Sequence, residues 1–242
     1  MGLIVTGSGE PVTVAAHGLG ASVAETRPLL SGVSGSRVFY EARGHDGNVP
    51  APFTYRDLGD DLLQVADTHG ATRALGVSMG SGALWSLLSR SPTRFDRVVS
   101  FLPAALDRPR ADEAVRLLEE LAVALEQQDV PAVERLVAAE LPPEAQAYVR
   151  TRAAFLLANP GIAVAVRSLP YVTPVADRSA LAAVSADVLV LAQESDPLHP
   201  AQVARDLVAV LPKARLVVFD QPHVVFRERA RLRALVQEFL ND

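Results

Sequence analysis

Gly76-Val77-Ser78-Met79-Gly80 lies between a strand-like run, Arg73-Ala74-Leu75, and a helix-like run from Ser81 to Leu88. A chain that passes from strand to helix in so few residues must turn a sharp corner. Glycines at 76 and 80 suit it, because the two backbones pass too close there for a Cβ. Such a corner holds the serine hydroxyl outward at the end of a strand. It commits the surrounding chain to a strand–turn–helix unit.

The rest of the sequence repeats that unit. Short, continuously apolar runs predict strands at Gly2–Thr6, Val12–Ala16, Arg37–Glu41, Arg73–Val77, Arg97–Leu102, Asp187–Ala192 and Arg215–Asp220. Helical patterns occupy Tyr55–Gly70, Ser81–Ser89, Ala201–Leu211 and Val225–Leu240. Alternation of this kind predicts an α/β fold, a mostly parallel sheet with helices on both faces. Ligands of such sheets bind at the carboxyl ends of the strands. Between 103 and 186 the alternation stops. Val115, Leu118, Leu121, Ala122 and Leu125 recur at helical spacing, Val133, Leu136 and Val137 form a second stripe, and Tyr148, Phe155 and Leu156 mark a third helix. Pro142-Pro143 and Asn159-Pro160-Gly161 separate them. The expected organisation is a core of residues 1–102 and 187–242 carrying a helical insertion, 103–186, over the carboxyl edge of the sheet.

Composition narrows the function. At 242 residues and 49% apolar, the chain has ample material for one large domain, and its net charge of −5 argues against nucleic acid. Lys213 is the only lysine, so the basic residues are almost all arginine. With no cysteine there is no disulfide, thiolate metal site or thiol nucleophile. No apolar run nears the roughly 20 residues that span a bilayer. Met1-Gly2-Leu3-Ile4-Val5-Thr6 matches a myristoylation pattern but reads better as a first strand. A cytoplasmic location without a targeting segment is the expectation.

Acyl transfer by a serine needs an imidazole to take the hydroxyl proton, an acid to orient it, and donors for the oxyanion. The acid candidate is Asp196 in Gln193-Glu194-Ser195-Asp196-Pro197-Leu198-His199-Pro200, a loop just past a strand, where helix capping is the alternative role; Glu194 is the reserve. The base candidate is His223 in Asp220-Gln221-Pro222-His223, after the last strand, with a plain surface-loop histidine as the alternative. His199 is close to Asp196 along the chain and is placed on the rim. His69 sits near a helix end, and His17 anchors a turn. The oxyanion donors would be the N–H groups of Met79, at a helix N-terminus, and of Leu19 in His17-Gly18-Leu19-Gly20, where Gly18 lets the backbone swing inward.

Strand-H-G-x-G, Arg43-Gly44-His45, strand-G-x-S-x-G-helix, then D-P-L-H-P and a late histidine together resemble the α/β-hydrolase superfamily. Within it the chain is most similar to small carboxylesterase and enol-lactonase members. The resemblance covers nearly the whole chain. It implies the α/β-hydrolase fold with 103–186 as the cap, a triad of Ser78, Asp196 and His223, and no metal or organic cofactor. There are departures: one strand rather than two precedes the H-G strand, Pro222 precedes the histidine, and Asp46 replaces a frequent glycine.

Apolar groups would line the substrate site: Leu19, Met79, Phe101, Leu102, Phe155 and Tyr171. They favour a small hydrophobic ester or lactone. Arg110, Arg150 and Arg152 would recognise a carboxylate or simply face solvent. Thioester, carbon–carbon bond and perhydrolase chemistry would use the same triad, and a non-hydrolytic binding protein would keep the same pocket. Nothing in the sequence marks an oligomer interface.

Overall fold

The computed structural model describes residues 2–45, 52–111 and 113–242. Asp46, the departure noted above, lies outside them. The strands are β1 (Leu3–Thr6), β2 (Val12–Ala16), β3 (Ser36–Tyr40), β4 (Arg73–Val77), β5 (Arg97–Phe101), β6 (Asp187–Gln193) and β7 (Ala214–Phe219). The expected strands fall at these places to within a residue or two. They form one seven-stranded sheet in the order β1-β3-β2-β4-β5-β6-β7. Only the β1–β3 pairing is antiparallel, with Leu3 opposite Tyr40 and Thr6 opposite Arg37.

The continuous apolar runs reflect coverage on both faces. In β6, Val188, Val190 and Ala192 enter one core while Leu189 and Leu191 enter the other. β2 divides likewise, with Val12, Val14 and Ala16 on one face and Ala15 on the opposite face. A two-residue period with both sides buried leaves no polar alternation to read. The first core takes in α2 (Tyr55–Thr68), α3 (Met79–Leu88) and α8 (Ala201–Val208). The second is closed by α1 (Val23–Thr26), α9 (Val224–Arg227) and α10 (Arg229–Asn241). The last helical stretch thus breaks near Glu228 and is not a single helix. The sequence reading also missed α1, a short helix closed by a capping box of Ser22 and Glu25.

Between β5 and β6 the chain forms α4 (Glu113–Glu126), α5 (Val130–Glu140), α6 (Val149–Ala158) and α7 (Pro160–Ser168). Asp129 caps α5 by accepting from the Ala132 N–H, and Pro160 opens α7. These helices bury their own apolar cluster, centred on Ala122, Leu125, Val133, Ala153 and Ile162. Leu19 packs against both this cluster and the sheet core, so the turn after β2 lies where the two meet. Among the described residues no single helix is long and apolar enough to cross a membrane; the one helix pair that qualifies jointly, Pro143–Ala158 with Pro160–Tyr171, is bent by 88°.

Candidate active site

β2 pairs with β3 on one side and β4 on the other, so the strand order reverses there. Crevices at such reversals hold the ligands of open α/β sheets. Ser78 follows β4 and begins α3 with φ 50 and ψ −108, a region costly for any residue with a Cβ. Both glycines of the corner are needed. A Cβ on Gly76 would lie 2.5 Å from the Gly80 carbonyl oxygen, and one on Gly80 would lie 2.2 Å from that of Ala16. Among the described residues, four of the five non-glycine residues with positive φ (Ser78, Leu102, Ser195 and His223) follow the carboxyl ends of β4 to β7. Strain of this kind gathers where side chains must be aimed.

The imidazole that meets Ser78 is that of His199. Its Nε2 lies 2.9 Å from Ser78 Oγ, and its Nδ1 lies 2.8 Å from Asp196 Oδ2. The sequence predicts His223 at this position and places His199 on the rim, because His199 is so near Asp196 along the chain. The correction has a local cause. Asp196 Oδ1 accepts the N–H groups of Leu198 at 2.9 Å and His199 at 3.1 Å, folding the loop back on itself. Residues three apart then become neighbours, and one carboxylate serves both the turn and the ring. His223 lines the same cavity from a left-handed turn, with no hydrogen bond from its ring to any described residue.

Burial alone would raise the Asp196 carboxyl. The hydrogen bond and charge of His199, aided by the Gln193 amide at 2.6 Å, pull it far below the usual carboxylate range. An ionised carboxylate only accepts, so His199 carries its proton on Nδ1 and Nε2 accepts from the Ser78 hydroxyl. Sequence reasoning missed Gln193. Its other side-chain atom, Oε1, accepts the Val224 N–H at 3.0 Å, fixing Asp196 relative to the turn after β7. Arg110 also grips this loop, donating to the carbonyls of Leu198 and Pro197 at 2.5 and 2.9 Å.

The Met79 N–H opens α3 beside the serine. Across from it, the turn after β2 packs its Gly18 against Ser78, with an added Cβ only 3.5 Å from Ser78 Cβ. Gly18 does not adopt a positive φ; the left-handed residue of the turn is Gly20, φ 66. The Gly20 N–H donates to His45 Nε2 at 2.9 Å, while among the described residues the Leu19 N–H has no acceptor.

These groups open on a cavity of about 510 Å³ whose walls are mostly apolar. Leu19, Met79, Phe101 and Leu102 line it, as the sequence predicts. Phe155 and Tyr171 do not. On α6 it is Leu156 and Arg152, four residues apart on one face, that look into the cavity, leaving Phe155 rotated into the insertion's own packing. Tyr171 is exposed and bonds Glu119. Of the three arginines, Arg110 and Arg152 reach the cavity and Arg150 lies on a separate shallow surface. Arg152 meets Glu25 at 2.8 Å, and the Tyr148 hydroxyl donates to the same carboxylate at 3.0 Å. Glu140 also faces the cavity, and burial raises its carboxyl against the opposing pull of Arg152 and His199. Among the described residues no three His, Asp or Glu side chains are placed to hold a metal ion.

The chain matches the family described as the alpha/beta hydrolase fold over residues 11–230, and it belongs to that family. Similar solved structures include the enol-lactonase from Burkholderia xenovorans (21% identity, covering 100% of this chain and 96% of that one, TM-score 0.82). Others are an esterase from Exiguobacterium antarcticum (17%, 99% and 95%, TM-score 0.79) and a meta-cleavage product hydrolase from Pseudomonas fluorescens (18%, 99% and 93%, TM-score 0.80). At such identities they establish the fold. A comparison with curated proteins finds no match. Family and fold together support a general hydrolase function.

Proposed function

We propose that the protein is a serine hydrolase of small hydrophobic esters or lactones, working through an acyl-enzyme on Ser78. The observation that carries this reading is the unbroken chain from Ser78 Oγ through both nitrogens of His199 to Asp196, at 2.9 and 2.8 Å. Ser78 Oγ attacks the carbonyl carbon as its proton passes to His199 Nε2. Asp196 holds the imidazolium that forms. The oxyanion takes the N–H groups of Leu19 and Met79, each worth on the order of 10²–10³ in rate. Collapse breaks the bond to the leaving alkoxide, which receives the proton from His199. Water then repeats the sequence on the acyl-enzyme. The insertion serves as the cap, and the apolar walls favour an uncharged acyl or ring group over a phosphorylated one. No step calls for a cofactor.

Ser78→Ala is expected to fold normally and lose turnover by about 10⁴-fold or more, as triad deletions do. His199→Ala should lose a comparable factor and His223→Ala less than about tenfold, measured as kcat on 4-nitrophenyl butyrate. The reverse order for the two histidines would transfer the base role to His223, which shares the cavity. Labelling of Ser78 by a fluorophosphonate without turnover of any ester, thioester or lactone would favour a binding protein instead.

A further inference from the structure

The turn that would bind the oxyanion is held by two buried imidazoles that the reaction itself does not use. His17 Nε2 accepts the Ala42 N–H at 2.9 Å, and His45 Nε2 accepts the Gly20 N–H at 2.9 Å. A backbone N–H can only donate, so both rings are unprotonated at Nε2 and carry their proton on Nδ1. There His17 donates to the Gly18 carbonyl at 2.8 Å and His45 to that of Arg43 at 3.2 Å. The two rings touch edge to face, centroids 4.8 Å apart. The loops after β2 and β3 are thus laced to each other, each presenting a histidine to the other's backbone. Arg43, next to this lacing, is fixed in turn by a two-pronged ion pair with Asp61 of α2.

This arrangement has a consequence for the turn. Ala21 N–H closes it on the Gly18 carbonyl at 3.1 Å, and Gly20 is left-handed. With the Gly20 N–H held by His45, the neighbouring Leu19 N–H has no acceptor among the described residues, and the turn packs against Ser78 through Gly18. We propose that His45 is a positioning residue: by accepting the Gly20 N–H it fixes the Leu19–Gly20 peptide, and with the Gly18 carbonyl held by His17 and Ala21 this orients the turn so that the Leu19 N–H faces the developing oxyanion. This role rests on the acyl-transfer reading of Ser78. It assigns a function to Arg43-Gly44-His45 that touches neither substrate nor serine.

Three variants test it. Glutamine at 45 keeps an acceptor near the place of Nε2; leucine keeps the volume without an acceptor; asparagine is polar but too short to reach. His45→Gln should retain kcat within about threefold. His45→Leu and His45→Asn should lose about 10- to 100-fold in kcat, with KM little changed, since a misplacement near 1 Å costs on that order. Affinity for a trifluoromethyl ketone, which forms an oxyanion on Ser78, should fall in step with kcat across the series. His45→Asn keeps the test open should the leucine variant not fold. Full kcat in the leucine or asparagine variant overturns the proposal. So does an equal loss in all three that follows thermal stability and leaves the ketone affinity unmoved. A wild-type protein that neither hydrolyses esters nor labels with fluorophosphonate fails at Ser78, a result distinct from either.

Discussion

His45 and Asp196 titrate against the fold in adjacent pH windows, and each gives the molecule a reason to loosen in acid. Burial, with His17 and Arg152 nearby, lowers His45 from 6.5 to about 4, against the opposing Arg43 carbonyl and Glu41. The unfolded chain therefore takes up a proton near pH 6.5 that the folded chain refuses until about pH 4. Stability falls as pH drops through that interval and is fully restored above it. A depression of this size corresponds to on the order of 3 kcal/mol. Asp196 acts lower down. Its folded value lies below 3.8, so its contribution is present above that pH and drains away beneath it. Urea midpoints measured from pH 7.5 to 4.5 should decline for the wild type, and His45→Gln should flatten most of that decline. An unchanged slope in the variant would show that another group is the acid-sensitive one.

Among the elements, β2, β4 and α3 are bound by steric necessity at one corner. Gly80 is helical and its φ is ordinary, so its requirement is space alone: a Cβ would stand 2.2 Å from the Ala16 carbonyl oxygen of β2. That oxygen belongs to a paired strand and cannot retreat. Gly80→Ala is expected to destabilise by about 3 kcal/mol or lead to insoluble protein. Gly18→Ala should stay within about 1 kcal/mol, because its Cβ would meet only an ordinary 3.5 Å contact. Thermal melts of the two variants make the comparison, and equal melting temperatures would refute the close approach at Gly80. This corner was legible in the sequence because one spacing fixes it. The His199 loop was not. Its geometry depends on Asp196 accepting two backbone N–H groups, and a three-residue separation looks identical in sequence whether the loop turns back or runs on. The roles of His45 and Gln193 were equally hidden, since the N–H groups of Gly20 and Val224 that they accept come from distant segments.

At the scale of the whole molecule, the sheet and its loops supply the reacting groups and one part of the walls, and the insertion supplies the other. The strands were readable because coverage on both faces makes them continuously apolar. The cavity walls were harder, because a helix packed on two sides shows apolar residues in both directions. Phe155 and Leu156 differ by one helical step, and only Leu156 faces the cavity. Leu118 of α4 also lines it, half-buried and directed from the insertion. A cavity of about 510 Å³ limits the acyl group that fits above Ser78. Leu118→Trp should shorten that limit without touching the reacting groups. With 4-nitrophenyl esters, kcat/KM for the octanoate should fall about tenfold or more while the acetate changes little, given roughly 1–3 kcal/mol per misfitted methylene-sized group. A uniform fall across chain lengths would mean that the indole disturbs the site itself. No fall at either length would mean that the acyl chain leaves along another wall, and the pocket beneath the insertion would then belong to the leaving group.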